Sequence, residues 1–257
     1  MPEQIDLSHL LALASEAGKA IMEIYSHAFE VTHKSDDSPL TLADMASNNI
    51  IVAGLTERYP HIPIISEETK QTDYVVRKNW DTYWLIDPLD GTKEFVKRNG
   101  EFTINIALIY QRQPIIGLVY VPAQELAYYA LKGEGSFKLV KGESPIRLAI
   151  SPIQPGEPIL TFASRSHRNQ ATDDFIETIA QQYGPVTVVG AGSALKFCLV
   201  AEGKAHFYPR FSPCMEWDTA AGHLVATEAG AKVMQPDGSP LLYNKEDLLS
   251  PSFIVSV

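Results

Sequence analysis

The chain has 257 residues, 45% hydrophobic and 20% charged, a globular composition that suits one large domain or two modest ones. Its 21 Lys and Arg face 31 Asp and Glu, giving a formal charge of −10. That balance excludes the global basic field that draws nucleic-acid polymers, so any anionic ligand must be met locally, by a few cations, oriented N–H groups or bound metal.

Two cysteines, Cys198 and Cys214, cannot build a disulfide framework and suit a reducing cytoplasm. The first ten residues carry Glu3 and Asp6 and no basic stretch, which argues against a secretory signal. The most apolar runs, 104–110 and 115–121, fall short of the roughly 20 residues that a membrane span needs. The expectation is a cytoplasmic protein without an integral membrane segment. A peripheral association with the cytoplasmic face of the inner membrane stays open, with nothing in the charge to favour it.

In chain order, Leu7, Leu10, Leu11, Ala14, Ala17, Ile21 and Ile24 recur at helical spacing and predict an amphipathic helix over 6–25. A second helix is expected after Thr41, its N-cap, running through Met45, Ile50, Ile51 and Leu55. Residues 34–39 between them form a polar, turn-rich loop. Short β-rich runs follow at 62–65, 83–86, 103–110, 115–120 and 126–131, separated by Gly and Pro breaks. From about residue 150, strands at 159–163, 186–189, 206–208 and 232–234 alternate with helices at 172–182, 193–201 and 219–229. This order predicts two stacked α/β sets, not one doubly wound sheet. An N-terminal α+β half over 1–151 would meet a C-terminal α/β half over 152–257 near the prolines at 152–158.

The most informative segment is Asp87-Pro88-Leu89-Asp90-Gly91-Thr92, where an apolar strand runs into two aspartates. Pro88 holds Asp87 extended and Gly91 permits a turn that a β-carbon would resist. Asp87, Asp90 and the Leu89 carbonyl could then surround one point at a strand's carboxyl end, where ligands bind in open α/β sheets. Oxygen-only ligands suit Mg²⁺ far better than zinc. An ordinary turn would explain the same residues. Two further acidic segments shift the balance: Glu67 and Glu68 after the strand at 62–65, and Asp218 at a helix start, each of which could alone be a solvated acid or a helix cap.

Together, Asp87 to Thr92 and Trp217-Asp218-Thr219-Ala220-Ala221-Gly222, with Glu67 upstream, resemble the hallmark sequences of the inositol monophosphatase superfamily of Mg²⁺-dependent, lithium-sensitive phosphatases. The resemblance covers essentially the whole chain and implies a layered α/β/α/β/α sandwich, as in the inositol monophosphatase and fructose-1,6-bisphosphatase folds. Within it, the segments 34–44, Thr92 to Thr103, Ser164 to His167, Leu195 to Gly203 and Tyr208-Pro209-Arg210 resemble 3′(2′),5′-bisphosphate nucleotidases of the bacterial CysQ type. That branch hydrolyses adenosine 3′,5′-bisphosphate, a by-product of sulfate assimilation, to AMP and phosphate.

The resemblance implies two or three Mg²⁺ ions held by Glu67, Asp87, the Leu89 carbonyl, Asp90 and Asp218. Such carboxylates would repel one another without divalent cations. It makes Asp44 and Thr92 the pair that activates a water, with Asp44 hydrogen-bonded to the Thr92 hydroxyl. Gly91 and Thr92 would offer N–H groups to a phosphate oxygen. Gly192, Ser193, Lys196 and Arg210 would hold the 5′-phosphate, with Ser164, His167 and Asp218 beside the nucleotide. Lys196 and Arg210 could otherwise be plain surface charges. One departure is Ala194, where the branch usually has a second serine. Competing expectations are a phosphatase of inositol phosphate or fructose bisphosphate, and a non-catalytic metal or nucleotide sensor. A monomer and a homodimer are both compatible with the family, and no histidine shows metal-ligand spacing.

Overall fold

Two long helices begin the described part of the chain, α1 (Leu7–His27) and α2 (Pro39–Arg58). The structure is a computed structural model that describes residues 5–27, 39–163 and 169–257. The buried face of α1 is Leu10, Leu13, Ala14, Ala17, Gly18, Ile21 and Tyr25; it shares Leu10, Ala14, Ala17 and Ile21 with the expected stripe, while Leu7, Leu11 and Ile24 are half-buried at its margin. The second helix starts three residues earlier than expected, so Thr41 lies in its first turn and is not its cap. A proline backbone enters a helix readily there, because its fixed φ suits the turn and no N–H is needed.

Seven strands then follow in strict chain order across one sheet: β1 (Ile64–Ser66), β2 (Thr82–Asp90), β3 (Thr103–Tyr110), β4 (Gln113–Val121), β5 (Leu126–Leu131), β6 (Gly135–Val140) and β7 (Ile146–Leu148). Only β1 and β2 pair in parallel, joined through the short helix α3 (Tyr74–Arg77); the rest is an antiparallel meander. Helix α4 (Thr92–Lys97) follows β2 directly. Nearly every residue of β3 and β5 is buried, because both faces of the sheet are covered, and their sequences accordingly read as apolar runs. The half-exposed strand β6 and the edge strand β7 beside it alternate Lys138 and Arg147 with apolar residues, so neither stood out in the sequence.

The second sheet runs β12 (Lys232–Met234), β14 (Phe253–Ser256), β10 (Phe207–Arg210), β8 (Ile159–Ala163) and β9 (Val186–Gly190). A two-stranded ribbon pairs β11 (Cys214–Met215) with β13 (Leu249–Ser250). Helix α5 (Gln170–Tyr183) covers the outer face, while α6 (Leu195–Ala201) and α7 (Glu216–Glu228) lie between the sheets. Three separate apolar clusters record the layers: α1 and α2 on the first sheet, α6 and α7 between the two, and α5 on the second. The sandwich is therefore α/β/α/β/α, as the sequence implied. Covered on both sides, α7 is built of Ala220, Ala221, Leu224, Val225 and Ala226, whose small side chains let both sheets approach. Ser193 stands outside α6 because its φ of 47° is left-handed.

Candidate active site

The acidic centre depends on one irregularity in β2. Asp87 pairs with Asn105 and Asp90 with Thr103, so Pro88 and Leu89 together oppose Ile104 alone. This two-against-one count is a β-bulge. In a regular strand, residues three apart point to opposite faces; the extra residue brings Asp87 and Asp90 to the same face. Proline fits the bulge because it has no N–H to leave unpaired. The Ser47 hydroxyl of α2 donates to the Pro88 carbonyl at 2.8 Å, and the Leu89 N–H donates to Asp87 Oδ1 at 3.0 Å.

Glu67 follows β1 immediately, and Asp218 is the third residue of α7, its Oδ2 accepting the Met215 N–H at 2.9 Å. Oxygens of Glu67, Asp87 and Asp218 all lie within 4.8 Å of one another. Asp90 stands beside them, its Oδ2 accepting from the Ala194 N–H at 2.5 Å, Asn105 Nδ2 at 3.4 Å and Thr103 Oγ1 at 3.5 Å. Burial pushes Asp218 up to about 7, with the Asp90 charge adding to it. Asp87 is driven up by complete burial and then by Asp90, Glu67 and Asp218, while burial and Asp90 raise Glu67. Asp87 Oδ2 is buried without a hydrogen-bond partner. A convergent, oxygen-only set with an orphaned carboxylate oxygen fits a hard divalent cation.

Asp44, on α2, is 8% exposed, and its Oδ1 is likewise buried without a partner. Burial, followed by Glu68 and Glu67, raises it to about 8. Glu68 thus acts on the site through its charge. Thr92, exposed, is the first residue of α4. Among the described residues no hydrogen bond joins Asp44 to the Thr92 hydroxyl, contrary to expectation. Gly91, with φ of 94°, caps α4; a β-carbon there would also meet Ser193 Cβ at 3.2 Å and Glu101 O at 3.3 Å. Gly91→Ala is therefore expected to cost about 1–3 kcal/mol, read as a lower denaturant midpoint with unchanged slope.

The acidic centre opens into a cavity of about 310 Å³ lined by Asp90, Gly91, Thr92, Glu94, Gly192, Ser193, Lys196, Tyr208, Arg210, Cys214 and Asp218. Lys196 is 4% exposed and donates to Ser193 O at 2.7 Å and Ala191 O at 3.3 Å, which leaves one of its three N–H donors for the cavity. Burial pushes it down to about 8 against the pull of Asp90. Arg210 donates through Nε to Ser212 O at 3.2 Å and through one terminal nitrogen to Pro213 O at 3.0 Å. Gly192 gives its N–H to Glu101 Oε2 at 2.9 Å, and a β-carbon there would come within 2.4 Å of Glu94 Cγ. At position 194 the backbone N–H, bonded to Asp90, is what the site uses.

Ser164 and His167, expected beside the nucleotide, and the loop 34–38 lie outside the described residues. Sequence reasoning missed Ser47, Asn48, Thr103 and Asn105. The Ser66 hydroxyl donates to Asn48 Oδ1 at 2.7 Å, which fixes the end of β1 just before Glu67. Thr103 and Asn105 carried a readable signal: two polar residues at period 2 in an apolar strand mark one face. Glu94, an acid in the lining of a pocket expected to be cationic, and Glu101, which accepts the Gly192 N–H, were also unforeseen. His223 is half-buried, with a ring nitrogen 2.9 Å from Tyr243 Oη, and desolvation pushes it down to about 4, in keeping with a structural role.

A five-layer sandwich with an oxygen-only acidic centre opening into a pocket that holds Lys196 and Arg210 defines a metal-dependent phosphomonoesterase. The chain belongs to the inositol monophosphatase family, whose model matches residues 4–255 and whose members generally use Mg²⁺. It is 47% identical over 254 residues to the 3′(2′),5′-bisphosphate nucleotidase CysQ of Salmonella typhimurium, covering 98% of this chain and 99% of that one. Identity to the nucleotidase of the same name from Escherichia coli strain K12 is 46%, with the same coverage. The crystal structure of CysQ from Bacteroides thetaiotaomicron, a bacterial member of the family, superposes with a TM-score of 0.86 at 43% identity over 97% of both chains. Among the described residues, no helix is long and apolar enough to cross a membrane.

Proposed function

We propose that the chain hydrolyses the 3′-phosphate of adenosine 3′,5′-bisphosphate to AMP and phosphate, and acts similarly on the 5′-phosphosulfate analogue, in the cytoplasm as a monomer or homodimer. The observation that carries this reading is a cavity whose lining combines the carboxylates Asp90 and Asp218 with the cations Lys196 and Arg210. A substrate with one phosphate to cleave and a second to anchor fits that mixed lining, and the nucleotidase relatives share nearly the full length.

When bound by Glu67, Asp87, the Leu89 carbonyl, Asp90 and Asp218, two or three Mg²⁺ ions would supply Lewis acidity toward the phosphate and the attacking water. Asp44, buried with Oδ1 unpartnered, would accept the water's proton in its ionised form, which bound cations favour. Thr92, with Asp44 as its partner, would orient the water for in-line attack. The N–H groups of Gly91 and Thr92, at the start of α4, would be offered to an anionic phosphate oxygen. Ser193, Lys196 and Arg210 hold the 5′-phosphate; Gly192, whose N–H is given to Glu101, serves the pocket by its missing β-carbon, and Ser164, His167 and Asp218 complete the nucleotide side. The labour divides along the chain: residues 1–151 bring most metal ligands, and 152–257 bring the nucleotide contacts and Asp218.

Phosphate release from adenosine 3′,5′-bisphosphate and from inositol 1-phosphate, with and without Mg²⁺, tests this reading. Release is expected from the nucleotide, only with Mg²⁺. Arg210→Ala is expected to raise KM for the nucleotide about 10- to 100-fold, the usual worth of a hydrogen bond to a charged group. A preference for inositol phosphate, or an unchanged KM in Arg210→Ala, would sink the second-phosphate assignment.

A further inference from the structure

The acidic centre takes Glu67 and Asp87 from the first sheet and Asp218 from α7, so its geometry depends on where α7 begins. A buried polar bracket fixes that point. Glu216, the first residue of α7, is 1% exposed and lies about 200° around the helix from Asp218. Its carboxylate accepts the Asn244 N–H at 2.7 Å, the Lys245 N–H at 3.1 Å and the Lys245 ammonium, while its own N–H donates to Leu248 O at 2.8 Å. The segment 244–248 is in turn clamped to the first sheet's connection α3. Arg77, 3% exposed, donates to Asn244 Oδ1 at 2.8 Å, Lys245 O at 2.6 Å and Glu246 O at 2.7 Å. Asn244 returns a bond from Nδ2 to Arg77 O at 2.7 Å.

The hairpin between β3 and β4 makes a second attachment. Tyr243 donates its N–H to Arg112 O at 3.1 Å, and Arg112 Nε donates to Tyr243 O at 3.1 Å. Asn244 itself has a φ of 61°, a left-handed conformation that its bonds to Arg77 and Glu216 hold in place. The only covalent path from Asp87 to Asp218 runs the length of the chain between them, whereas this bracket crosses from α3 to the start of α7 through two side chains.

We propose that Arg77 and Asn244 are positioning residues for the metal centre: through Glu216 they hold the start of α7 where Asp218 meets Glu67 and Asp87. The inference rests on the reading of that carboxylate trio as the Mg²⁺ site. Loosening the bracket widens the trio without removing any ligand, so it weakens metal binding and leaves the chemistry intact once metal is loaded.

The test is calorimetric titration of the chelator-stripped full chain with Mg²⁺, without nucleotide, for the wild type, Asn244→Gly and Arg77→Met. Glycine accepts a φ of 61° without strain, so Asn244→Gly removes the bridging amide and leaves the backbone at ease. Both variants are expected to bind Mg²⁺ about tenfold more weakly, the scale on which residues behind metal ligands act. Turnover of adenosine 3′,5′-bisphosphate should return to within about twofold of wild type at saturating Mg²⁺. Lys138→Met, which breaks the 2.9 Å ion pair with Glu202 elsewhere, should leave Mg²⁺ affinity unchanged. Wild-type affinity in a folded Asn244→Gly overturns the bracket, as does a fall in melting temperature without a change in affinity. A wild type that binds no Mg²⁺ overturns the metal reading, and the bracket with it.

Discussion

With a chelator present, the protein should lose thermal stability as pH rises from about 4 to 8, and Mg²⁺ should reverse that slope. Asp44 is raised to about 8 and Asp218 to about 7, in both cases first by burial, and Glu67, Asp87 and Asp90 move in the same direction. In the unfolded chain an aspartate titrates near 3.8. Between the two values the folded protein keeps a proton that the unfolded chain has shed. Unfolding therefore releases protons, and rising pH favours it. Below about 4 both states are protonated and the penalty vanishes; by about 8 it is complete.

Each tenfold difference in proton affinity between the folded and unfolded chain corresponds to about 1.4 kcal/mol, but five acids sharing one site titrate as a group. The summed loss should be a few kcal/mol, or roughly 10 °C of melting temperature for a chain of this size. Mg²⁺ binds the ionised carboxylates, so its stabilisation grows as their protons leave. Asp237, held below its ordinary value by Ser239, exerts its effect only on the acid side of this window. Melting curves at pH 5 and 8, in chelator and in Mg²⁺, decide the matter. Equal stability at both pH values in chelator would mean that the acids do not converge in the folded protein.

The residues alone mark Glu67, Asp87, Asp90 and Asp218 as candidate acids, for a definable reason, while their joint role as a metal set is legible only through the family resemblance. Motifs that end a strand or start a helix carry their geometry locally: Pro88 and Gly91 constrain the chain, and an acid near the first turn of α7 belongs there on dipole grounds. Strong periodicity marks elements such as α1 and β3 to within a residue or two. What escaped was non-local. Whether Asp87 and Asp90 share a face depends on the pairing of β2 with β3, and a bulge is a property of two strands. The bonds that Ser47 and Asn48 make from α2 needed the layers to be stacked first. Lys196 and Arg210 read as phosphate-binding cations, but the carbonyls that fix their orientation lie on their own loops and show no pattern in sequence. The ribbon of β11 and β13 is too short to announce itself.

Asp44→Asn should lower turnover by about 10²- to 10⁴-fold, the range of a lost acid–base group, while making the chelated protein more stable at pH 8. The two effects have one cause. Asp44 is buried beside Glu67 and Glu68 with Oδ1 unpartnered, so its charge is held in place at the expense of the fold. A neutral amide of the same shape relieves that repulsion and cannot accept the proton. Thr92 is exposed, so Thr92→Ala should change stability by no more than about 0.5 kcal/mol yet lower turnover on a similar scale. Thr92→Ser keeps the hydroxyl and should retain most activity. If the two residues act on one water, the Asp44→Asn, Thr92→Ala double variant should be little slower than the worse single variant. Steady-state rates at saturating Mg²⁺ measure this directly: losses that multiply would mean that Asp44 and Thr92 contribute to separate steps, and an active Asp44→Asn would leave its raised pKa a consequence of burial alone.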